Sequence, residues 1–264
     1  MPRLTVTIIT RDEAANIDEA LASVAWADEI VVVDSGSADD TVSRARRHTP
    51  RVFVREWPGF PAQKNWAAEQ ATHDWILSID ADERVPPALA QEIRTLLASE
   101  PAPRGFRIPR VSYYLGRWLR STDWYPDSQL RLYDRRVAAW GGTHVHEGVE
   151  VRGGVGRLRH ELQHVPYRDV SHHLQTIDRY TTLASRPMHE AGRRVTAAGL
   201  ALRPAAAFLR NYPLRGGWRD GSVGLVVSVL NSYYVFLKFA KLWELGRQAP
   251  GGREQRAQSP EPGA

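Results

Sequence analysis

The segment Asp74-Trp75-Ile76-Leu77-Ser78-Ile79-Asp80-Ala81-Asp82-Glu83-Arg84 joins an apolar run to a pair of acidic side chains. The apolar run predicts a buried β-strand, which delivers Asp80 and Asp82 to its C-terminal end. Two carboxylates at this spacing repel each other unless a cation, a hydroxyl or a basic group lies between them. Ligands of open α/β sheets bind at the carboxyl ends of strands, so a divalent cation with phosphate oxygens fits this position. A solvated turn is the alternative.

The chain before this segment alternates strands with helices. β-Branched apolar runs and helical spacing predict three further strands at 4–9, 30–33 and 52–54, and three helices that begin after Asn16, near 39–41 and at 62. Asn16 is expected to cap the first helix. An apolar stripe marks a fourth helix after the 75–80 strand, at Leu89, Ile93, Leu96 and Leu97. This alternation predicts a mostly parallel sheet with helices on both faces.

Short segments at these strand ends carry a family resemblance. They are Thr-Ile-Ile-Thr-Arg-Asp-Glu at 7–13, Ala-Asp-Glu-Ile-Val-Val-Val-Asp-Ser-Gly-Ser at 27–37, Gln-Lys-Asn at 63–65 and Asp-Ala-Asp-Glu at 80–83. With them the chain resembles the family 2 glycosyltransferases. Later segments resemble the subgroup of lipopolysaccharide inner-core β-1,4-glucosyltransferases: Trp-Tyr-Pro-Asp at 124–127, Leu-Arg-Leu-Tyr at 130–133, Val-His-Glu-Gly-Val at 145–149, Asp-Arg-Tyr-Thr at 178–181 and the run 234–245. The resemblance covers about residues 3–246.

This resemblance implies a GT-A fold, a Rossmann-like α/β architecture, with a C-terminal helical extension. The expected organisation is a nucleotide-sugar-binding and catalytic domain at 1–165, a helical region at 166–246 and a disordered tail at 247–264. The implied reaction is an inverting, metal-dependent transfer of a hexose, glucose from UDP-glucose, to a heptose of the lipopolysaccharide inner core. Transfer to an exopolysaccharide or another lipid-linked glycan is the alternative, and a non-catalytic sugar-nucleotide-binding scaffold is the rival from another class.

The resemblance also assigns roles on the donor side. Asp82 would bind a Mg²⁺ or Mn²⁺ ion directly, and Asp80 would lie nearer the ribose and the water shell of the ion. Asp34, at the end of the second strand, resembles the aspartate that grips the uridine. The other residues expected in the nucleotide-sugar pocket are Thr10, Arg11, Glu13 and Lys64. A surface charge or a helix cap is the alternative for each of these side chains.

An inverting transfer also needs one carboxylate that takes the proton of the acceptor hydroxyl. Asp127 and Glu147 are the candidates, and we favour Glu147, which follows two histidines. Of these, His146 is expected to contribute to the metal site. Pro126 stands before Asp127 where the family commonly has a Glu-Asp pair, so the choice stays open, and a salt bridge is the alternative for either carboxylate. The aromatic side chains expected to stack on acceptor sugars are Trp118, Trp124 and Tyr125.

Composition excludes several classes of protein. The chain has no cysteine, so disulfides and thiolate metal sites are excluded. It has no Gly-x-Gly-x-x-Gly after the first strand, no P-loop and no nucleic-acid-binding signature, which argues against a dehydrogenase and a nucleic-acid partner. No signal peptide is expected. Residues 1–100 carry 10 Lys and Arg against 17 Asp and Glu, whereas the rest carries 25 against 13, which suits an anionic acceptor or membrane surface.

The apolar run 223–240 raises the question of a membrane. Polar side chains interrupt the run, which makes it marginal for a membrane span. An amphipathic helix in the interface is the favoured interpretation, and packing against the catalytic domain or a second subunit is the alternative. The expected location is therefore cytoplasmic, on the inner face of the cytoplasmic membrane, with a homo-oligomer left open.

Overall fold

The computed structural model describes residues 2–142 and 148–248. Two compact units are formed by the chain. The first unit consists of Met1–Tyr113 and Tyr125–Pro166, and the second of Tyr114–Trp124 and Tyr167–Ala264. The chain therefore enters the second unit twice, first with a short segment and then with its C-terminal part.

The first half of the first unit is a parallel βα structure, as predicted. Its strands lie in the order β3-β2-β1-β4, and all three pairings are parallel. The elements are β1 (Leu4–Thr10), α1 (Ile17–Ser23), β2 (Glu29–Asp34), α2 (Thr41–Ala45), β3 (Val52–Val54), α3 (Phe60–Glu69), β4 (Trp75–Asp80), β5 (Glu83–Arg84) and α4 (Pro87–Ala98). Asn16 occupies the N-cap position of α1, as predicted, but its side chain makes no capping hydrogen bond and instead donates to the Glu13 carboxylate.

Both faces of this parallel sheet are buried. Successive residues of β1 and β2 alternate between two apolar clusters: Ile8 and Val32 pack with α1 and α4, whereas Ile9 and Val33 pack with α3. Every residue of β1 is buried. A strand covered on both faces needs apolar side chains at successive positions, which explains the continuous apolar runs of the sequence.

The second half of the first unit makes the sheet mixed. Strand β8 pairs antiparallel with β4 and with β6, and the order continues β4-β8-β6-β12-β5. The elements are β6 (Gly105–Tyr114), β8 (Asp127–Asp134), β9 (Ala138–Gly141), β10 (Gly148–Val151), β11 (Val155–Arg157) and β12 (Leu162–His164), whereas β7 (Arg117–Leu119) lies in the short segment of the second unit. Strands β9 and β10 form a separate antiparallel pair. β8 thus inserts side chains from late in the sequence beside the end of β4.

The second unit is helical and ends in a long helix, as expected. Its helices are α5 (Val170–Glu190), α6 (Ala197–Leu209) and α7 (Gly221–Gln248). Asp169 and Thr196 cap the first two, since each side chain accepts a hydrogen bond from a backbone N–H of the first turn. The apolar core of the unit includes Ile177 of α5 and Val227 of α7. The helices therefore bury a core of their own.

Candidate active site

The ends of three parallel strands bring the predicted donor residues to one edge of the sheet. The register pairs Thr10 of β1 with Asp34 of β2, and Ile9 of β1 with Asp80 of β4. Because β1 lies between β2 and β4, the carboxylates of Asp34 and Asp80 flank the end of β1. This is the edge at which open α/β sheets bind ligands.

Asp80 is held between two buried cations. One carboxylate oxygen lies 3.1 Å from Lys64 Nζ, and the other accepts a hydrogen bond of 2.5 Å from Arg131. Lys64 is 2% exposed and its ammonium also lies 4.2 Å from the centre of the Trp140 ring. Burial alone would raise the pKa of Asp80, but the charges of Arg131 and Lys64 hold it far below its ordinary value. Asp80 is therefore ionised and both its oxygens are engaged.

A chain of ion pairs runs on from Asp80 to Asp127. Glu83, which is fully buried, accepts hydrogen bonds of 2.8 Å from Arg131 and 2.9 Å from Arg110 on the same oxygen. Arg110 in turn donates from two nitrogens to Asp127, at 2.8 and 2.6 Å. Two arginines and a buried glutamate thus link a donor-side carboxylate to one of the two predicted bases.

Of the two predicted bases, only Asp127 lies among the described residues. The Asp127 carboxylate is 28% exposed, and its second oxygen accepts a 2.5 Å hydrogen bond from Gln129. Both its oxygens are therefore engaged, although solvent reaches the group. Glu147 and His146 lie outside the described residues.

Asp82 differs from Asp80 in having an oxygen to spare. One oxygen lies 3.3 Å from His164 Nε2, and the other is buried and has no hydrogen-bond partner among residues 2–142 and 148–248. The other ring nitrogen of His164 lies 3.1 Å from the Ser112 hydroxyl, which orients the imidazole. A carboxylate and an imidazole with this geometry can both bind a divalent metal ion.

These two side chains fit a metal that also binds phosphate. In the described part of the chain, no cluster of three or more His, Asp or Glu side chains is arranged to hold a metal ion. Mg²⁺ commonly takes only one or two protein carboxylates and fills its shell with phosphate oxygens and water. The unpaired oxygen of Asp82 meets that requirement for one carboxylate, and the imidazole of His164 lies beside it.

Other buried polar atoms at this end of the sheet also have no hydrogen-bond partner among the described residues. The Thr10 hydroxyl, the Gln63 carbonyl oxygen and one Arg84 nitrogen are buried and make no hydrogen bond within the described residues. Glu13 lies nearby, and burial, together with the negative charge of Asp82, raises its pKa. Buried polar groups are rarely left unpaired in native proteins. Their concentration here indicates a site that a polar ligand completes.

A cavity of about 380 Å³ opens at the end of β2. Its lining consists of Arg11, Ser35, Gly36, Val54, Arg55, Glu56 and Trp57. Asp34 holds the turn that follows β2: one oxygen accepts hydrogen bonds from the backbone N–H groups of Gly36 and Ser37, at 2.9 and 2.8 Å, and the other accepts a hydrogen bond from the Ser37 hydroxyl. Gly36 has a φ of +82°, a conformation that favours glycine. Asp34 is thus fully engaged in the turn, and the exposed Arg11 lies on the wall.

The three aromatic side chains predicted to bind the acceptor have different surroundings. Trp124 belongs to the core of the second unit and donates its indole N–H to Asn231 at 3.2 Å. Tyr125 belongs to the first unit and donates its hydroxyl to Glu161 at 2.9 Å. Trp118 lies on β7.

Sequence reasoning missed four side chains of this site: Glu83, Arg110, Arg131 and His164. A signal existed for Arg131, because a charged residue between Leu130 and Leu132 has to find a partner if the two leucines are buried. The other three carry no comparable local signal. Their roles follow from strand pairings between distant parts of the sequence.

An open α/β sheet with carboxylates and cations at its strand ends has the arrangement typical of a ligand-binding or active site. Residues 5–149 match the model of the family described as glycosyl transferase family 2. The chain therefore belongs to glycosyl transferase family 2, and the protein is a glycosyltransferase. The mostly parallel mixed sheet is the GT-A-like fold expected from the resemblance.

Relatives match over nearly the whole chain. The chain is 31% identical over 248 residues to the lipopolysaccharide core biosynthesis glycosyltransferase LpsC of Rhizobium meliloti, covering 91% of this chain and 92% of that protein. It is 29% identical over 258 residues to an uncharacterized glycosyltransferase of Rickettsia typhi, covering 93% of this chain and 88% of that protein. No large part of the chain lacks a counterpart in these glycosyltransferases.

One similar solved structure is glucosyl-3-phosphoglycerate synthase from Mycobacterium tuberculosis in complex with Mg²⁺ and UDP. It is 24% identical and covers 44% of this chain and 44% of its own, with a TM-score of 0.36. A likeness of this extent adds nothing to the assignment of the site.

Proposed function

We propose that this glycosyltransferase transfers a hexose, glucose in the first instance, from a UDP-sugar to a heptose of the lipopolysaccharide inner core. The observation that carries the proposal is the unpaired carboxylate oxygen of Asp82 beside His164, at the same sheet edge as the cavity. The full-length similarity to a lipopolysaccharide core biosynthesis glycosyltransferase supports the acceptor class.

On the donor side, Asp82 and His164 would hold a Mg²⁺ or Mn²⁺ ion, with His146 as the earlier predicted contributor. The bound ion would neutralise the negative charge that develops on the leaving diphosphate. Asp80 would accept a hydrogen bond from a ribose hydroxyl, since Lys64 and Arg131 hold its carboxylate in place. The cavity walled by Arg11 and Trp57 would take the base.

On the acceptor side, the hydroxyl oxygen of the acceptor would attack the anomeric carbon as the bond to the diphosphate breaks on the opposite face. The proton of that hydroxyl would pass to a carboxylate, for which we keep Glu147 as the first choice and Asp127 as the second. If Asp127 is the base, Arg110 orients it through its two hydrogen bonds. One displacement inverts the anomeric configuration.

We further propose that the enzyme works at the inner face of the cytoplasmic membrane. The run Gly217–Arg247 is long and apolar enough, by length and composition, to cross a membrane. Core helices of soluble proteins also pass this test. In the most apolar 18-residue window of the run, 28% of the residues are buried. On α7 the exposed apolar side chains at spacings of four and seven residues form one stripe, called the α7 stripe: Leu225, Val229, Phe236 and Trp243. Three further exposed side chains precede it, at Leu209, Leu214 and Trp218.

Charge supports a location on the membrane surface. In the second unit, residues 114–124 and 167–248 carry 14 Lys and Arg against 6 Asp and Glu. Anionic lipids attract such a surface by about 1 kcal/mol per well-placed basic side chain. A helix that lies in the interface, with its apolar stripe in the lipid and arginines near the headgroups, accounts for both features.

Asp82→Asn tests the donor side, with Asp74→Asn as the matched control. Asp74 lies just before β4 at the opposite end of the strand, where its carboxylate is 46% exposed. We expect Asp82→Asn to lower the rate of UDP release by roughly 10²-fold or more and to abolish metal-dependent UDP binding. The reason is that an interaction worth several kcal/mol is removed. Asp74→Asn should behave like the wild type.

The assay measures UDP release from a panel of UDP-sugars with heptose-terminated lipopolysaccharide or other lipid-linked glycans as acceptors. Full activity in excess EDTA, or in Asp82→Asn, would contradict the metal-dependent mechanism. Release with another acceptor but not with lipopolysaccharide would favour the alternative glycan, and binding of UDP without release with any acceptor would favour the scaffold.

A further inference from the structure

A second cavity lies within the helical unit. It measures about 100 Å³. Four aromatic rings, one histidine and three smaller side chains line it: Trp124, Tyr167, Tyr180, Tyr234, His173, Thr176, Ile177 and Asn231. A concave site with aromatic walls and a few polar groups is typical of small-ligand binding.

Ring stacking and hydrogen bonds hold several side chains of the cavity lining in place. The rings of Tyr167 and His173 stack with their centres 3.9 Å apart and 12° between their planes. His173 Nδ1 lies 3.1 Å from the Tyr114 hydroxyl. The Trp124 indole donates to Asn231, which itself donates to a neighbouring amide oxygen at 2.9 Å. These contacts shape the cavity before any ligand enters.

The lining carries no charge near neutral pH. None of its side chains is acidic, lysine or arginine, and burial lowers the pKa of His173 to about 4, with a further contribution from His172. The hydroxyls of Tyr180 and Tyr234 make no hydrogen bond with the described residues, so they are available to a ligand. The cavity thus offers apolar faces and neutral hydrogen-bonding groups.

Two cations stand next to the aromatic rings of the cavity. The Arg179 guanidinium lies 5.3 Å from the centre of the Tyr180 ring, and Lys238 Nζ lies 5.4 Å from the centre of the Tyr234 ring. Neither has a carboxylate partner in the parts of the chain that the structure describes. Both cations thus lie beside rings of the lining, without belonging to the lining themselves.

We propose that this cavity binds one pyranose ring of the acceptor glycan, other than the sugar that reacts, with an acidic substituent or neighbouring acidic sugar facing Arg179 and Lys238. The inference rests on the proposed function. A pyranose presents C–H faces that pack on aromatic rings and a rim of hydroxyls that pair with the hydroxyls of Tyr180 and Tyr234. An acyl chain fits less well, because its binding would leave those polar groups without partners.

Tyr180→Ala is the decisive variant, and Tyr233→Ala is its matched control. The two tyrosines are 43% and 40% exposed, and only Tyr180 lines the cavity. With a lipid-free, O-deacylated core oligosaccharide as acceptor, we expect Tyr180→Ala to raise the KM for the acceptor by roughly 10-fold, since one stacking face is lost. The kcat and the KM for the UDP-sugar should not change, and Tyr180→Phe should recover most of the affinity.

A direct binding measurement keeps this test independent of catalysis. Saturation-transfer NMR with methyl α-D-mannopyranoside, the methyl glycoside of glucuronic acid and octanoate reports which chemistry enters the cavity. We expect signals from the C–H groups of both glycosides, stronger binding of the glucuronide, and loss of both signals in Tyr180→Ala but not in Tyr233→Ala.

Each outcome separates the two claims. A wild type that binds the glycosides through Tyr180 but transfers no sugar would overturn the proposed function and keep the sugar-binding cavity. Equal behaviour of Tyr180→Ala and Tyr233→Ala, or binding of octanoate alone, would overturn the cavity as a pyranose subsite even if transfer is normal.

Discussion

Replacing Arg131 by Met should show how much the buried ion pairs contribute to the stability of the fold. Arg131 is 4% exposed and donates to Asp80 at 2.5 Å and to Glu83 at 2.8 Å. Methionine fills a similar volume but removes one of the two cations beside each carboxylate: Glu83 keeps Arg110 and the backbone N–H of Asp80, and Asp80 keeps Lys64. Glu83 is fully buried, so solvent cannot replace the lost partner.

The expected loss is large for one substitution. Breaking a buried ion pair from one side costs about 3–5 kcal/mol, because an uncompensated charge stays in a poorly solvated place. At roughly 2–4 °C per kcal/mol for a chain of this size, the melting temperature should fall by roughly 6–20 °C. UDP binding should also weaken, because Asp80 loses the hydrogen bond that holds its carboxylate.

Arg44→Met is the matched control. The Arg44 side chain is 39% exposed and pairs at 2.8 Å with a carboxylate that is also exposed, that of Asp18 at 36%. Solvent screens such a pair, so its loss should have little effect on stability. Thermal unfolding followed by circular dichroism, and calorimetric titration with UDP well below the melting temperature, measure both effects. Equal melting temperatures for the two variants would refute a stabilising role of the buried pairs.

Three other predictions concern the base, the membrane and pH. Glu147→Gln should keep UDP binding and lose transfer by roughly 10²-fold or more; if Asp127→Asn does so instead, Asp127 is the base. Leu225→Ser combined with Val229→Ser should reduce co-sedimentation with anionic vesicles at low salt without changing UDP binding, and a wild type that ignores such vesicles would contradict the membrane proposal. In the fold the pKa of His173 is lowered from 6.5 to about 4, mainly by burial. Its contribution to the free energy of unfolding is therefore fully present above pH 6.5 and is lost as pH falls from 6.5 to 4, on the order of 3 kcal/mol. Urea unfolding at several pH values should show this loss in the wild type and not in His173→Asn; an equal loss in both would assign it to other groups.

The sequence alone determined the parallel half of the sheet and one edge of the site. Strands β1, β2 and β4 are buried on both faces, so each reads as a continuous apolar run, and helical spacing between them predicts the crossovers. Because parallel strands all end at the same edge, the positions of Asp34 and Asp80 followed from the strand pattern. The sequence alone also excluded disulfides, because it has no cysteine, and its motifs indicated the family.

Only the tertiary structure decided which charges meet. Arg131 reaches Asp80 and Glu83 because β8 inserts antiparallel between β4 and β6, and Arg110 reaches Glu83 from β6. His164 comes beside Asp82 because β12 pairs with β5. These partners lie tens of residues apart in sequence, and no local period encodes such a pairing. It follows from the sheet order and strand register, which depend on how the whole unit buries its apolar side chains.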